Sequence, residues 1–150
     1  AIQPHDAAPC VFWEFYRNGF FYIAATLPQI DKEKHIVQSR ILRQATVLTL
    51  ALIGQCYSNL NKSDKLLNIK LRIPNSENAM LVSSNNKINP DHVCRIMDIE
   101  VTRDRTAADL EGGAAPETAA RLYVELCERF NVTYDEADEK KIQNSMARII

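Results

Sequence analysis

The chain has 150 residues, 46% hydrophobic and 25% charged, with 18 basic against 19 acidic side chains for a net charge of −1. A chain of this size suits one globular core, and so even a balance of charge leaves no basic footprint for nucleic acid or an anionic membrane surface. The longest uncharged apolar stretch, residues 45–54, is half the length of the roughly 20 residues a membrane-spanning helix needs, so no membrane span is expected.

Residues 1–9, Ala-Ile-Gln-Pro-His-Asp-Ala-Ala-Pro, read as an extended lead. A polar, proline-containing start without an initiator Met fits the mature end left by a signal peptidase. A periplasmic or secreted protein is therefore expected, with a cytoplasmic one as the alternative.

Seven of the eleven aromatic residues fall between Phe12 and Tyr22, on both sides of Arg17-Asn18-Gly19. Asn and Gly tolerate the positive φ of a type I′ turn, and flat rings pair well across strands. Residues 10–16 and 20–26 are thus predicted as an antiparallel hairpin. Alternation puts Val11, Trp13 and Phe15 on one face and Phe12, Glu14 and Tyr16 on the other, so both faces are largely apolar. One face covers the core. The other, with Phe12, Glu14, Tyr16, Phe20 and Tyr22, needs cover from a helix of this chain or from another molecule. Core is the favoured reading for most of the ring area, and any part left exposed is the expected binding surface for a protein partner or for self-association. Glu14 among rings could act as an acid, but alternation favours the plainer role of marking the outward face.

Leu27-Pro28 ends the hairpin, and Asp31 is placed to cap a helix running to about residue 60. Val37, Ile41, Ala45, Leu48, Leu52 and Cys56 recur every three or four residues and are predicted as its buried face. Residues 45–53 are apolar nearly all round, which suits a central position. A span of about 45 Å is long for this chain, so a break is expected near Gln38-Ser39 or at Gly54.

Residues 65–73 alternate, with Leu67, Ile69, Leu71 and Ile73 one way and Asn68, Lys70 and Arg72 the other, as in a strand with one buried face. A turn at 74–78, a short strand at 79–84 and a polar loop at 85–90 lead to a second alternating strand, 93–103, with Met97, Ile99 and Val101 inward. Its outward Asp98 and Glu100 suit Lys70 and Arg72 on a neighbouring strand. Residues 106–115, with Gly112-Gly113, read as a mobile loop. Pro116 then opens a helix that buries Ala119, Leu122, Tyr123, Leu126, Cys127 and Phe130, with Arg121, Glu125 and Arg129 as exposed pairs four apart. A last helix starts at Thr133-Tyr134-Asp135-Glu136, which fits a capping box, with Val132 and Ala137 as a staple.

The order β-β-α-β-β-β-α-α describes one α+β domain over residues 1–150. Its economical form is a five-stranded antiparallel sheet packed on the long central helix, with two C-terminal helices. This order resembles the longin type of trafficking domain over most of the chain, which implies a cytosolic adaptor with free thiols.

Signatures of catalysis are absent: there is no GxSxG, HExxH or P-loop, and four glycines leave little to cradle a phosphate. The best cluster is Asp91, His92 and Cys94, close to Ser83 and Ser84. His92 and Cys94 on one strand face could seat a metal or form a nucleophilic pair. The same residues also read as a turn-capping Asp91, an exposed His92 and a buried Cys94, and this reading is favoured. His35 reads as a surface group, His5-Asp6 could help bind a metal but two adjacent ligands do not make a site, and the acidic run at 135–139 lacks the glycine of a calcium loop. No catalytic residue, metal or cofactor is expected. Cys10, Cys56, Cys94 and Cys127 allow three pairings, as one or two disulfides or as buried thiols. The leading expectation is a non-enzymatic protein-binding module of the immunity, inhibitor or secretion-accessory type. The alternatives are a small hydrolase or transferase using His92 with Asp91 or Cys94, and the longin-like adaptor.

Overall fold

The computed structural model describes residues 11–16, 20–25, 36–82 and 87–150. The expected lead, the Arg17-Asn18-Gly19 turn, the Asp31 cap, His35, Cys10, Ser83 and Ser84 lie outside these residues. Val11–Phe15 (β1) and Phe21–Ala25 (β2) form the expected antiparallel hairpin, in register from Val11 opposite Ala25 to Phe15 opposite Phe21. The Tyr16 N–H extends the ladder by donating to the Phe20 carbonyl at 2.8 Å.

The long helix (α1) runs from Ser39–Asn59, and the residues just before it, Ile36–Gln38, form a short strand (β3). The expected break near Gln38-Ser39 is therefore the start of the helix, whereas α1 passes through Gly54 unbroken. Its buried face is also not the predicted one. Leu42, Val47, Leu50 and Tyr57 are buried together with Ser39, Thr46 and Gly54, while Leu48 and Leu52 are 48% and 44% exposed. A helix that is apolar nearly all round can bury either side, and here the choice falls on the side where small residues allow close approach. A Cβ on Gly54 would lie 2.8 Å from the backbone nitrogen of Glu111 and 3.0 Å from Leu110 Cβ. The glycine is a point of contact, not a hinge.

The predicted five-stranded antiparallel sheet does not form among the described residues. Leu66–Ile73 (β4) pairs antiparallel with Ile99–Thr106 (β7) over their full length, from Leu66 opposite Thr106 to Ile73 opposite Ile99. Between them in sequence, Met80–Val82 (β5) pairs parallel with β3 and antiparallel with Ile88–Val93 (β6). The described strands thus make one three-stranded and two two-stranded sheets. Alternation reveals a strand's buried face but not its partner, which explains why a strand order could be read and a wrong sheet drawn from it. The longin resemblance rests on that order, and the pairing does not supply its single sheet.

Two further boundaries move. The expected polar loop at 85–90 overlaps β6, an edge strand that tolerates Pro90, and Met97 lies before β7 and is exposed. By contrast, Leu67, Ile69, Leu71 and Ile73 point inward as predicted. Lys70 reaches Glu100 at 3.8 Å and Arg72 reaches Asp98 at 3.4 Å, so the basic and acidic rows do lie on neighbouring strands.

The predicted mobile loop at 106–115 is largely helical but kinked at Gly113. Thr106 and Asp109 form a capping box that starts Ala107–Asp109 (α2), the chain coils on through Leu110 to the kink, and Ala115–Glu128 (α3) follows it. Ala107 and Leu110 are buried and hold the segment down, and Gly113 takes φ 104°, where a side chain is strained. α3 buries the predicted stripe from Ala119 to Phe130. Its expected row of ion pairs is rearranged: Glu125 Oε2 lies 2.8 Å from Arg103 on β7, and Arg121 pairs with Glu117 and Glu139. Glu136–Ala147 (α4) is capped by Asp135, which accepts from the Asp138 N–H at 2.7 Å, and not by Thr133. α1, α3 and α4 pack in sequence around one core with the inner faces of β4 and β7. Leu50, Ile99, Leu122, Leu126, Phe130 and Met146 lie at its centre.

Candidate functional site

The outward face of the β1–β2 hairpin holds the most exposed aromatic surface among the described residues. The strand register places Glu14 opposite Tyr22, with Tyr16 and Phe20 as the next pair on the same face. Tyr16, Phe20 and Tyr22 are 45%, 55% and 45% exposed. They touch one another: the Tyr16 and Phe20 ring centroids are 5.5 Å apart at 53°, and those of Phe20 and Tyr22 are 6.5 Å apart at 15°. The Tyr16 hydroxyl donates to Glu14 Oε2. That bond, followed by burial and the neighbouring carboxylate charge, holds the Tyr16 phenol above its ordinary pKa of 10.0.

Phe21 and Ile23, on the opposite face of β2, are half-buried, and β2 lies beside α1. The hairpin therefore has an inner and an outer face. The side chain of Phe12, the remaining predicted surface residue, is outside the description. Glu14, Tyr16, Phe20 and Tyr22 are brought together.

Among the described residues no hydrogen bond joins His92 to Asp91 or Cys94. Cys94 is buried, its thiol donates to the Ile96 carbonyl at 3.3 Å, and its sulfur accepts from the Ile96 N–H at 3.4 Å. His92 Nε2 lies 3.3 Å from the Asn89 side-chain amide, whose oxygen accepts from the Asp91 N–H at 3.0 Å. These bonds lie within β6. Cys56, Cys94 and Cys127 are free thiols, so the expected disulfides do not join any two of them. Cys10 lies outside the described residues. No group of three His, Cys, Asp or Glu among the described residues could hold a metal ion, and no described helix is long and apolar enough to cross a membrane.

Sequence reasoning missed one polar cluster, because it joins residues far apart in the chain. Ser39 Oγ and the Tyr123 hydroxyl are 2.7 Å apart, the Arg43 guanidinium lies 5.6 Å above the Tyr123 ring, and Tyr134 sits against the same ring at 6.2 Å. Burial pushes the neighbouring Cys127 thiol up to about 12 and also raises the Tyr123 phenol. A thiol held protonated is a poor nucleophile, and the Ser39–Tyr123 contact ties α1 to α3. Two shallow depressions of about 350 and 440 Å³ flank Arg121 between β7, α3 and α4. Their walls pair Arg103 with Glu125 and Arg121 with Glu117 and Glu139, which leaves little field for an anion.

No protein-family model matches the chain, and no curated protein or solved structure matches it either. The outer face of the hairpin is the remaining candidate.

Proposed function

We propose that this protein is a non-enzymatic binding module that engages a protein partner, or a second copy of itself, through the outer face of the β1–β2 hairpin. One observation carries this reading: Tyr16, Phe20 and Tyr22 contact one another and leave about half of each ring in water. Each ring brings about 150–250 Å² of surface, and at roughly 25 cal/mol per Å² of apolar area its covering is favourable. Tyr and Phe are also enriched at interface cores, while isolated exposed residues need no such account. Among the described residues the hairpin is a sheet of two strands.

Immunity, inhibitor and secretion-accessory proteins are the classes such a module would serve. Cys56, Cys94 and Cys127 are free thiols, and the binding role is independent of compartment. A variant carrying Tyr16→Ser, Phe20→Ser and Tyr22→Ser tests it. Sedimentation of the purified parent, and direct binding to any partner isolated with it, should show association that the variant weakens by about 30-fold or more, the size of an interface hot spot. A parent that is strictly monomeric and has no direct binder would end this reading.

A further inference from the structure

We propose that the outer hairpin face takes an arginine side chain of its partner, with the guanidinium laid on the aromatic rings and held by the Glu14 carboxylate. This assignment rests on the binding role proposed above and names the chemistry that role recognises. Glu14 is the single charged group among the described residues of the face, which also carries Tyr16, Phe20, Tyr22 and Ala24. Its Oε2 accepts from the Tyr16 hydroxyl. No basic side chain among the described residues pairs with it.

An aromatic surface around one carboxylate is complementary to a cation that is itself willing to leave water. A guanidinium meets that requirement better than an ammonium, because it is planar, weakly hydrated and able to bond a carboxylate through two N–H groups while stacking on a ring. The ring of Tyr22 supplies an aromatic surface for it, and Tyr22 stands directly opposite Glu14. The molecule already shows the same contact internally, with Arg43 5.6 Å above the Tyr123 ring. That separation lies within the roughly 6 Å over which a cation is attracted to a ring face.

The test is a titration of the full chain, labelled with ¹⁵N, by a capped Gly-Gly-Arg-Gly-Gly peptide at low ionic strength. Matched peptides carry lysine or citrulline, the neutral analogue of arginine, at the centre. The arginine peptide should shift the amide signals of Glu14, Tyr16, Phe20 and Tyr22 saturably. Binding should weaken by about tenfold with citrulline and by a similar factor for Glu14→Gln, since both remove the charge-assisted contact. Tyr22→Leu, which keeps apolar bulk but removes the ring face, should weaken it as well, and unchanged signals elsewhere would show that both variants are folded. Citrulline or lysine binding as tightly as arginine would overturn the assignment, as would an arginine peptide that leaves these signals unmoved. If that happens while the triple serine variant still loses its association, the arginine assignment fails and the binding role stands. If the triple variant associates normally, both fail.

Discussion

The helical body and the N-terminal hairpin use the same kinds of ring in opposite ways. In the body, Tyr57, Tyr123 and Phe130 are buried, and the Tyr123 hydroxyl meets Ser39 Oγ inside the core. On the hairpin, Tyr16, Phe20 and Tyr22 stack in the open, and the Tyr16 hydroxyl finds a carboxylate on the same surface. Rings enclosed on all sides stabilise a fold, whereas rings left in contact with water add little to it. The contrast assigns stability to one region and is the basis for the recognition role proposed for the other.

The largest expected effect lies in the body. Phe130→Ala removes a fully enclosed ring, and denaturant unfolding should show a loss of about 3–5 kcal/mol. Gly54→Ala comes next. Helix propensity alone would favour alanine by about 1 kcal/mol. The new Cβ, however, meets the backbone of Glu111 at 2.8 Å, and overpacking of this kind costs about 1–3 kcal/mol, so the net change should be destabilising. Asn61 ends α1 at φ 55°, in the left-handed region. Asn61→Ala should cost about 1 kcal/mol in the same assay, and Asn61→Gly should not.

Alkaline pH probes the buried cluster. Folding raises the Cys127 thiol from 9.0 to about 12 by burial. A group raised on folding stabilises the native state below its unfolded pKa, and that contribution is lost as pH climbs to the folded value. Stability should therefore fall between about pH 9 and about pH 12, and Cys127→Ala should make the fall shallower in pH-dependent unfolding. The smallest effect belongs to the surface of the β4–β7 ribbon. Lys70→Glu should cost less than about 1 kcal/mol, and less still at high salt, because the Lys70–Glu100 pair is exposed.

Where local pattern decides the structure, the sequence was legible. The alternation of Leu67, Ile69, Leu71 and Ile73, the stripe from Ala119 to Phe130 and the complementary rows on β4 and β7 all have local periods. Outcomes set by contacts between distant segments were hidden. The face that α1 buries depends on Gly54 meeting Glu111, and β5 pairs with β3 across the whole of α1 and β4. The helical turn after Thr106 depends on Leu110 entering the core, which the two adjacent glycines concealed. At the candidate site, alternation put Glu14, Tyr16, Phe20 and Tyr22 on one face, but it carried no information on whether another element covers them.

Denaturant unfolding of the variant carrying Tyr16→Ser, Phe20→Ser and Tyr22→Ser tests the division between the two regions most directly, because it needs no knowledge of a partner. Three surface substitutions away from the core should together change stability by no more than about 1.5 kcal/mol, with an unaltered dependence on denaturant. A loss of several kcal/mol would show that these rings belong to the core, and would contradict the account.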